Sequence, residues 1–265
     1  MNATYKTVTS ADGTQIAYDQ TGDGPPAILI GGAFNDRSTV AGLAAVLAAE
    51  LTAVGYDRRG RGDSGDSANY AVEREVEDLV ALIGQVGGAA SVFGHSSGAV
   101  LALEAAERGA AIEKLAVYEP PYIAGSGGHR PPADLADQVR ALIGEDRRDD
   151  AVTLFLTESV GIPAKMVDSM RTSDMWGRLV RLAHTLPYDL TLCGPGSVLP
   201  ADRLAKIQIP VLAIGGSLSP KWLRAGARAV ADAIAGARYE TLEGQEHGVL
   251  NQPEALRPLL IDFLS

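Results

Sequence analysis

Cysteine is almost absent. The 265-residue chain has one, Cys193, so no internal disulfide can form, and this fits a reducing compartment. Aromatic residues make up 5% of a chain that is 46% hydrophobic, so the core must be built mainly from Ala, Val, Leu and Ile. No uninterrupted apolar run is long enough to span a bilayer. Residues 1–10 are polar with no apolar h-region, so no secretory signal is expected and a cytoplasmic protein is. Basic residues are in deficit. Lys and Arg number 23 against 33 Asp and Glu, and the net charge of −10 argues against a nucleic-acid or anionic-membrane partner. The length allows one large domain or a core with an insert; monomer and homodimer both remain open.

What the chain has instead is alternation. Residues 4–9 and 14–19 alternate around Ala11-Asp12-Gly13 and predict an antiparallel hairpin. Ala27-Ile28-Leu29-Ile30 is a continuous apolar run ending in Gly31-Gly32, as in a strand buried on both faces. Further strands are predicted at 51–56, 92–93, 112–118, 210–214 and 238–242. Helices are predicted at 39–50, 72–86, 99–108, 219–235 and 253–264. This order predicts an α/β fold with a mostly parallel sheet and helices on both faces. Residues 121–202 break the pattern. They open with Pro-rich and Gly-rich stretches and hold helical patterns at 134–143, 148–160, 164–171 and 174–184, with no convincing strand. They are expected to form a helical cap over the C-terminal edge of the sheet, with 1–120 and 203–265 as the core.

Gly94-His95-Ser96-Ser97-Gly98 carries the chemistry. It follows a short apolar strand and opens a helical run, the setting in which G-x-S-x-G is a nucleophile elbow: small residues let strand and helix approach, and the serine is left exposed at the tip. A serine hydroxyl needs a base, an acid to orient the base, and donors for the oxyanion. Four histidines are available. His95 adjoins Ser96 and is expected to point away along the elbow; His129 lies in the Gly-rich stretch and His184 in a cap helix. His247 follows the last strand and precedes the final helix, on a loop returning to the sheet's C-terminal edge, and is the expected base. Oxyanion donors are expected from the backbone N–H of Ser97 and from Gly31-Gly32-Ala33-Phe34, with Ala33 the candidate.

With these motifs in hand, the chain resembles the α/β-hydrolase superfamily over nearly its whole length. Asp57-Arg58-Arg59-Gly60-Arg61-Gly62-Asp63-Ser64 is similar to the D-x-R-G-x-G-x-S stretch after the fourth strand of many members, and His247 stands where their catalytic histidine is expected. One departure matters. The loop that usually carries the acid reads Gly215-Gly216-Ser217-Leu218-Ser219-Pro220, with no carboxylate. Val117-Tyr118-Glu119-Pro120 resembles the zearalenone-lactonase type, in which a glutamate precedes a proline near the strand end after the elbow helix. The resemblance therefore implies Glu119 as the acid. Glu246, or a dyad assisted by water, Ser217 or Ser219, are the alternatives.

Two further patterns invite other readings. Gly60-Arg61-Gly62-Asp63-Ser64-Gly65 matches G-x-G-x-x-G, but it follows a later strand and carries bulky charges between its glycines, unlike a dinucleotide fingerprint. Asp146, Asp149 and Asp150 interleave with Arg147 and Arg148, as on a solvated helix start, and no metal site is expected. The resemblance implies a cofactor-free serine hydrolase acting on an ester or lactone of a small molecule. A carbon–carbon bond hydrolase or perhydrolase with the same triad is the alternative enzyme, and a non-catalytic binding protein the alternative of another class. Expected pocket residues are Phe34, Tyr122, Phe155, Met175, Trp176, Leu179 and Leu186, which favour a moderately hydrophobic substrate.

Overall fold

The fully buried strands are mostly apolar here, as expected when helices cover both faces of a sheet. The computed structural model describes residues 3–125 and 130–265. Among these, eight strands form one sheet: β1 (Thr4–Thr9), β2 (Gln15–Thr21), β3 (Pro26–Ile30), β4 (Thr52–Tyr56), β5 (Ala90–His95), β6 (Ile112–Tyr118), β7 (Val211–Gly216) and β8 (Arg238–Leu242). Their spatial order is β1-β2-β4-β3-β5-β6-β7-β8. β1 and β2 form the expected hairpin, with Thr4 opposite Gln20. β2 meets β4 antiparallel, and every later pairing is parallel. β4, β5 and β7 are buried throughout, whereas β8, at the edge, exposes much of its length.

Two apolar layers cover the sheet. On one face α2 (Val72–Gln85) and α3 (Ser97–Glu107) pack around Leu79, Leu82, Val100 and Leu103. On the other, α1 (Arg37–Leu47) and α11 (Arg257–Leu264) pack around Leu43, Leu47, Leu260 and Phe93. α10 (Lys221–Ala233) lies against β7.

Between β6 and β7 the described chain is helical: α4 (Leu135–Gly144), α5 (Arg148–Leu154), α6 (Ala164–Met170), α7 (Asp174–Leu182), α8 (Leu186–Cys193) and α9 (Ala201–Leu204). Its β contribution is a single bridge, Ile123 to Val198. The pattern at 148–160 divides into α5 and a π-helical turn, Phe155–Ser159, where the Thr157 hydroxyl donates back to the carbonyls of Thr153 and Leu154. α8 has no counterpart in the sequence reading; Pro187 stands in its first turn, where a proline is compatible with a helix. These helices bury a separate cluster around Val139, Val152, Trp176 and Leu186, while Leu192, Cys193 and Leu204 already pack with the sheet core. Contact with the sheet thus resumes before residue 203. Among the described residues no helix is long and apolar enough to cross a membrane.

The Asp57–Ser64 stretch is a clasp. Arg59 pairs with Asp78 on α2 at 2.7 Å and with Asp12 in the hairpin turn at 3.0 Å. The Ser64 hydroxyl donates to the Asp57 carbonyl at 2.6 Å and accepts from Ala17 N–H at 2.9 Å. Asp146, Asp149 and Asp150 form ion pairs with Arg148, Arg171 and Arg147.

Candidate active site

Ser96 sits between the end of β5 and the start of α3, with φ 57° and ψ −126°. A non-glycine residue in this region is strained, and such strain persists only where the surroundings enforce it. Here they do: a Cβ at Gly98 would stand 2.5 Å from the Ile30 carbonyl oxygen, so α3 can start this close to β3 only without one. The loop after β3 is equally close, since a Cβ at Gly32 would lie 2.7 Å from that of Ser96. Phe34 and Glu119 also have positive φ, at 59° and 46°.

Ser96, Ser97, Ala33, Phe34, His95 and His247 line one cavity of about 260 Å³ at the C-terminal edge of the sheet. His247 is half-buried, and its Nδ1 lies 2.7 Å from Oε2 of Glu119. Glu119 is fully buried, and its Oε1 accepts the Gly216 N–H at 2.8 Å. The end of β7, whose following loop has no carboxylate, thus lends a backbone donor to a carboxylate just after β6. Glu246 is exposed and offers its backbone carbonyl to the Tyr118 hydroxyl at 2.8 Å. Among the described residues no group of three or more His, Cys, Asp or Glu could hold a metal ion.

His95 does not point away from the site. As the last residue of β5 it turns its ring to within 4.7 Å of the His247 ring, and its Nε2–H donates to the His247 carbonyl at 2.8 Å. Burial first, then the neighbouring His247, pushes its pKa from the ordinary 6.5 down to about 3. The unfolded chain takes up this proton near pH 6.5 and the folded chain only near pH 3. Acid therefore favours unfolding across that window, by at most about 1.4 kcal/mol per pH unit from this group. His95→Gln keeps an N–H donor and removes the titration. Urea midpoints from pH 6.5 to 4.5 should fall less steeply for this variant than for the wild type; parallel curves would rule the effect out. His184 lies away from the cavity, its Nε2–H donating to the Gly60 carbonyl at 2.8 Å. His129 lies outside the described residues.

Of the expected pocket residues, Phe34 and Phe155 line the cavity and pack edge to face at 5.4 Å. The other five do not line it. Tyr122 is buried in the sheet core, Leu186 in the helical cluster, and Leu179 packs against that cluster. Met175 is exposed on α7. Trp176 is buried, with its indole N–H donating to Asp149 at 2.7 Å. Trp176→Ala is therefore expected to cost about 3–5 kcal/mol in denaturant unfolding and to leave substrate preference unchanged. A changed preference with little lost stability would put the ring in contact with substrate. Sequence reasoning missed Leu156, Asp189, Leu190, Cys193, Trp222 and Leu223, which line the cavity. Trp222 and Leu223 had a signal: they follow β7, and ligands in open α/β sheets bind outside the carboxyl ends of strands.

A half-buried serine that lines a cavity from a strained strand-to-helix turn, at the C-terminal edge of this sheet, defines a class. The model of the alpha/beta hydrolase family matches residues 17–259, and the chain belongs to that family. Among solved structures it is similar to an alpha/beta hydrolase from Sphaerobacter thermophilus DSM 20745, with 50% identity, 98% of this chain and 100% of that one covered, and a TM-score of 0.90. It also shares its fold with the enol-lactonase from Burkholderia xenovorans LB400 (21% identity, 98% and 99% covered, TM-score 0.71). An esterase from Exiguobacterium antarcticum is likewise similar (20% identity, 97% and 98% covered, TM-score 0.72).

Proposed function

We propose that this chain is a serine hydrolase that cleaves a carboxylic ester or lactone of a moderately hydrophobic small molecule, without a cofactor. The observation that carries the reading is the 2.7 Å contact between His247 Nδ1 and buried Glu119, on a histidine that shares its cavity with Ser96. A carboxylate on Nδ1–H leaves Nε2 as the free base, the tautomer that can take a hydroxyl proton. Ser96 attacks the carbonyl as His247 takes its proton. The oxyanion is held by the N–H groups of Ala33 and Ser97, and the imidazolium by Glu119. His247 then protonates the leaving alkoxide, and water, deprotonated by the same imidazole, releases the acid from Ser96.

The lining supports the substrate class. Phe155, Leu156, Val160, Leu190, Trp222 and Leu223 are apolar, and among the described residues no Lys or Arg lines the cavity. Its volume is near the lower end of the usual range for ligand pockets, which favours a small neutral acyl group or lactone. The described residues within 121–202 act as the cap, since Phe155, Leu156 and Leu190 come from this segment and Ala33 and Phe34 pack against its cluster. The test is turnover of a panel of neutral p-nitrophenyl esters of increasing acyl length, aliphatic lactones and anionic hemiesters. Neutral esters or lactones should be hydrolysed and the hemiesters should be poor. No turnover by a folded protein whose Ser96 resists a fluorophosphonate would favour a binding protein.

A further inference from the structure

Arg58 and Arg61 stand at the variable positions of the Asp57–Ser64 stretch and have no task in the scheme above. Both are buried, at 2% and 1% exposed. They converge on Asp189 of α8, itself 2% exposed and lining the cavity. Arg58 Nη1 donates to Asp189 Oδ1 at 2.8 Å. Arg61 Nη2 donates to both carboxylate oxygens, at 2.9 and 2.8 Å. The Ser97 hydroxyl donates to the same Oδ1 at 2.7 Å. Arg61 Nη1 reaches the other way and donates to the Gly32 carbonyl at 2.6 Å. Glu75 of α2 takes the remaining side of Arg58, at 2.6 and 2.7 Å, so two guanidiniums face two carboxylates.

We propose that Arg61 and Asp189 are positioning residues for the oxyanion hole, one cluster setting both of its backbone donors; this rests on the serine-hydrolase reading above. In a trans peptide the carbonyl and the following N–H point in opposite directions. Gly32 C=O and Ala33 N–H belong to one such unit. Arg61 holds the oxygen, so the Ala33 N–H is fixed pointing away from Arg61. A charged donor on the carbonyl also polarises the peptide and makes its N–H a stronger donor. The second donor is tied to the same point. Ser97 opens α3, where the first N–H groups have no intrahelical acceptor, and its side chain is tethered to Asp189. Asp189 remains a carboxylate under this load: burial raises its pKa, but the Arg61 and Arg58 guanidiniums and the Ser97 hydroxyl outweigh that and hold it below the usual range. Because Asp189 rides on α8, the position of the helical segment and the aim of both donors are linked.

A cluster that only held α8 to the core would affect stability and KM. A positioning cluster affects the step in which negative charge develops. The test compares wild type, Arg61→Gln, Ser97→Ala and the double variant Arg61→Met/Asp189→Leu, which removes one charge of each sign and leaves the Arg58–Glu75 pair intact. The readouts are kcat and KM on one p-nitrophenyl ester, the inhibition constant of a trifluoromethyl ketone that forms a tetrahedral adduct, and the fluorophosphonate labelling rate at Ser96. Deleting an oxyanion donor costs about 10²–10³-fold, so mis-aiming one should cost about 10- to 100-fold in kcat for Arg61→Gln and the double variant. The ketone should weaken by a similar factor while KM stays within about twofold. Ser97→Ala should show the same pattern to a smaller degree, and as it deletes only a hydroxyl it carries the test if the other variants do not fold. Folded variants with wild-type kcat and ketone affinity overturn the proposal, as does a change confined to KM and melting temperature. A wild type that is active and labelled beside unaffected variants sinks the positioning role alone; a wild type that is neither active nor labelled sinks the serine-hydrolase reading and this proposal with it.

Discussion

Ser96→Ala is expected to lower kcat by about six orders of magnitude and to abolish fluorophosphonate labelling, with the fold intact. Alanine has the same Cβ and pays the same backbone cost at φ 57°, so the elbow should form as before. Ser97 adjoins Ser96 but is committed to Asp189 at 2.7 Å. Ser159 and Ser197 also line the cavity, so they are the informative controls. Mass spectrometry of the labelled wild type should find the phosphonate on Ser96. A label on Ser159 or Ser197, with turnover intact in Ser96→Ala, would remove Ser96 from the chemistry.

The architecture was legible because each layer of it leaves a one-dimensional trace. The apolar runs of β3 and β5 are what two-sided burial requires, and the Asp12-Gly13 turn marks the β1–β2 hairpin. The elbow was legible because close approach demands glycine at 98. Periodicity does not say which of two apolar partners a residue meets. Trp176 and Leu186 bury themselves among the inserted helices, while Phe155 faces the cavity, and nothing in their spacing separates them. The Asp189 cluster was hidden for another reason: its partners are 128 and 131 residues away in sequence, and each arginine alone reads as a solvated charge. His95 was misjudged because the position beside an elbow serine does not fix which way the strand's last side chain turns. The carboxylate beside His247 had a partial trace. The loop at 215–220 shows only that a carboxylate is missing there. That its Gly216 N–H serves the carboxylate of Glu119 appears only when β6 and β7 lie side by side.

That shared carboxylate makes Glu119→Gln the sharpest test of the proposed triad. The variant is expected to fold and to lose about four orders of magnitude in kcat, as removal of an orienting acid does elsewhere. Two N–H groups face the glutamate: Gly216 N–H on Oε1 and the imidazole Nδ1 on Oε2, at 2.8 and 2.7 Å. Glutamine has one oxygen and one NH2 in the same space. If the oxygen stays on Gly216, which is fixed by the end of β7, the NH2 faces Nδ1. His247 must then present a bare Nδ1 and carry its proton on Nε2, the tautomer that cannot accept from Ser96. If the oxygen turns to Nδ1 instead, the NH2 meets the Gly216 N–H, donor against donor, in a site with no exposure to water. Either arrangement penalises the imidazolium that the reaction must form. Glu246→Gln should keep most of kcat, because that side chain is exposed and only its backbone carbonyl is used, by Tyr118. If Glu119→Gln and Glu246→Gln both stay near wild-type rates, the imidazole works without a carboxylate partner. Glu119 would then be a structural acceptor for Gly216 at the end of β6, and the serine and histidine would act as a dyad.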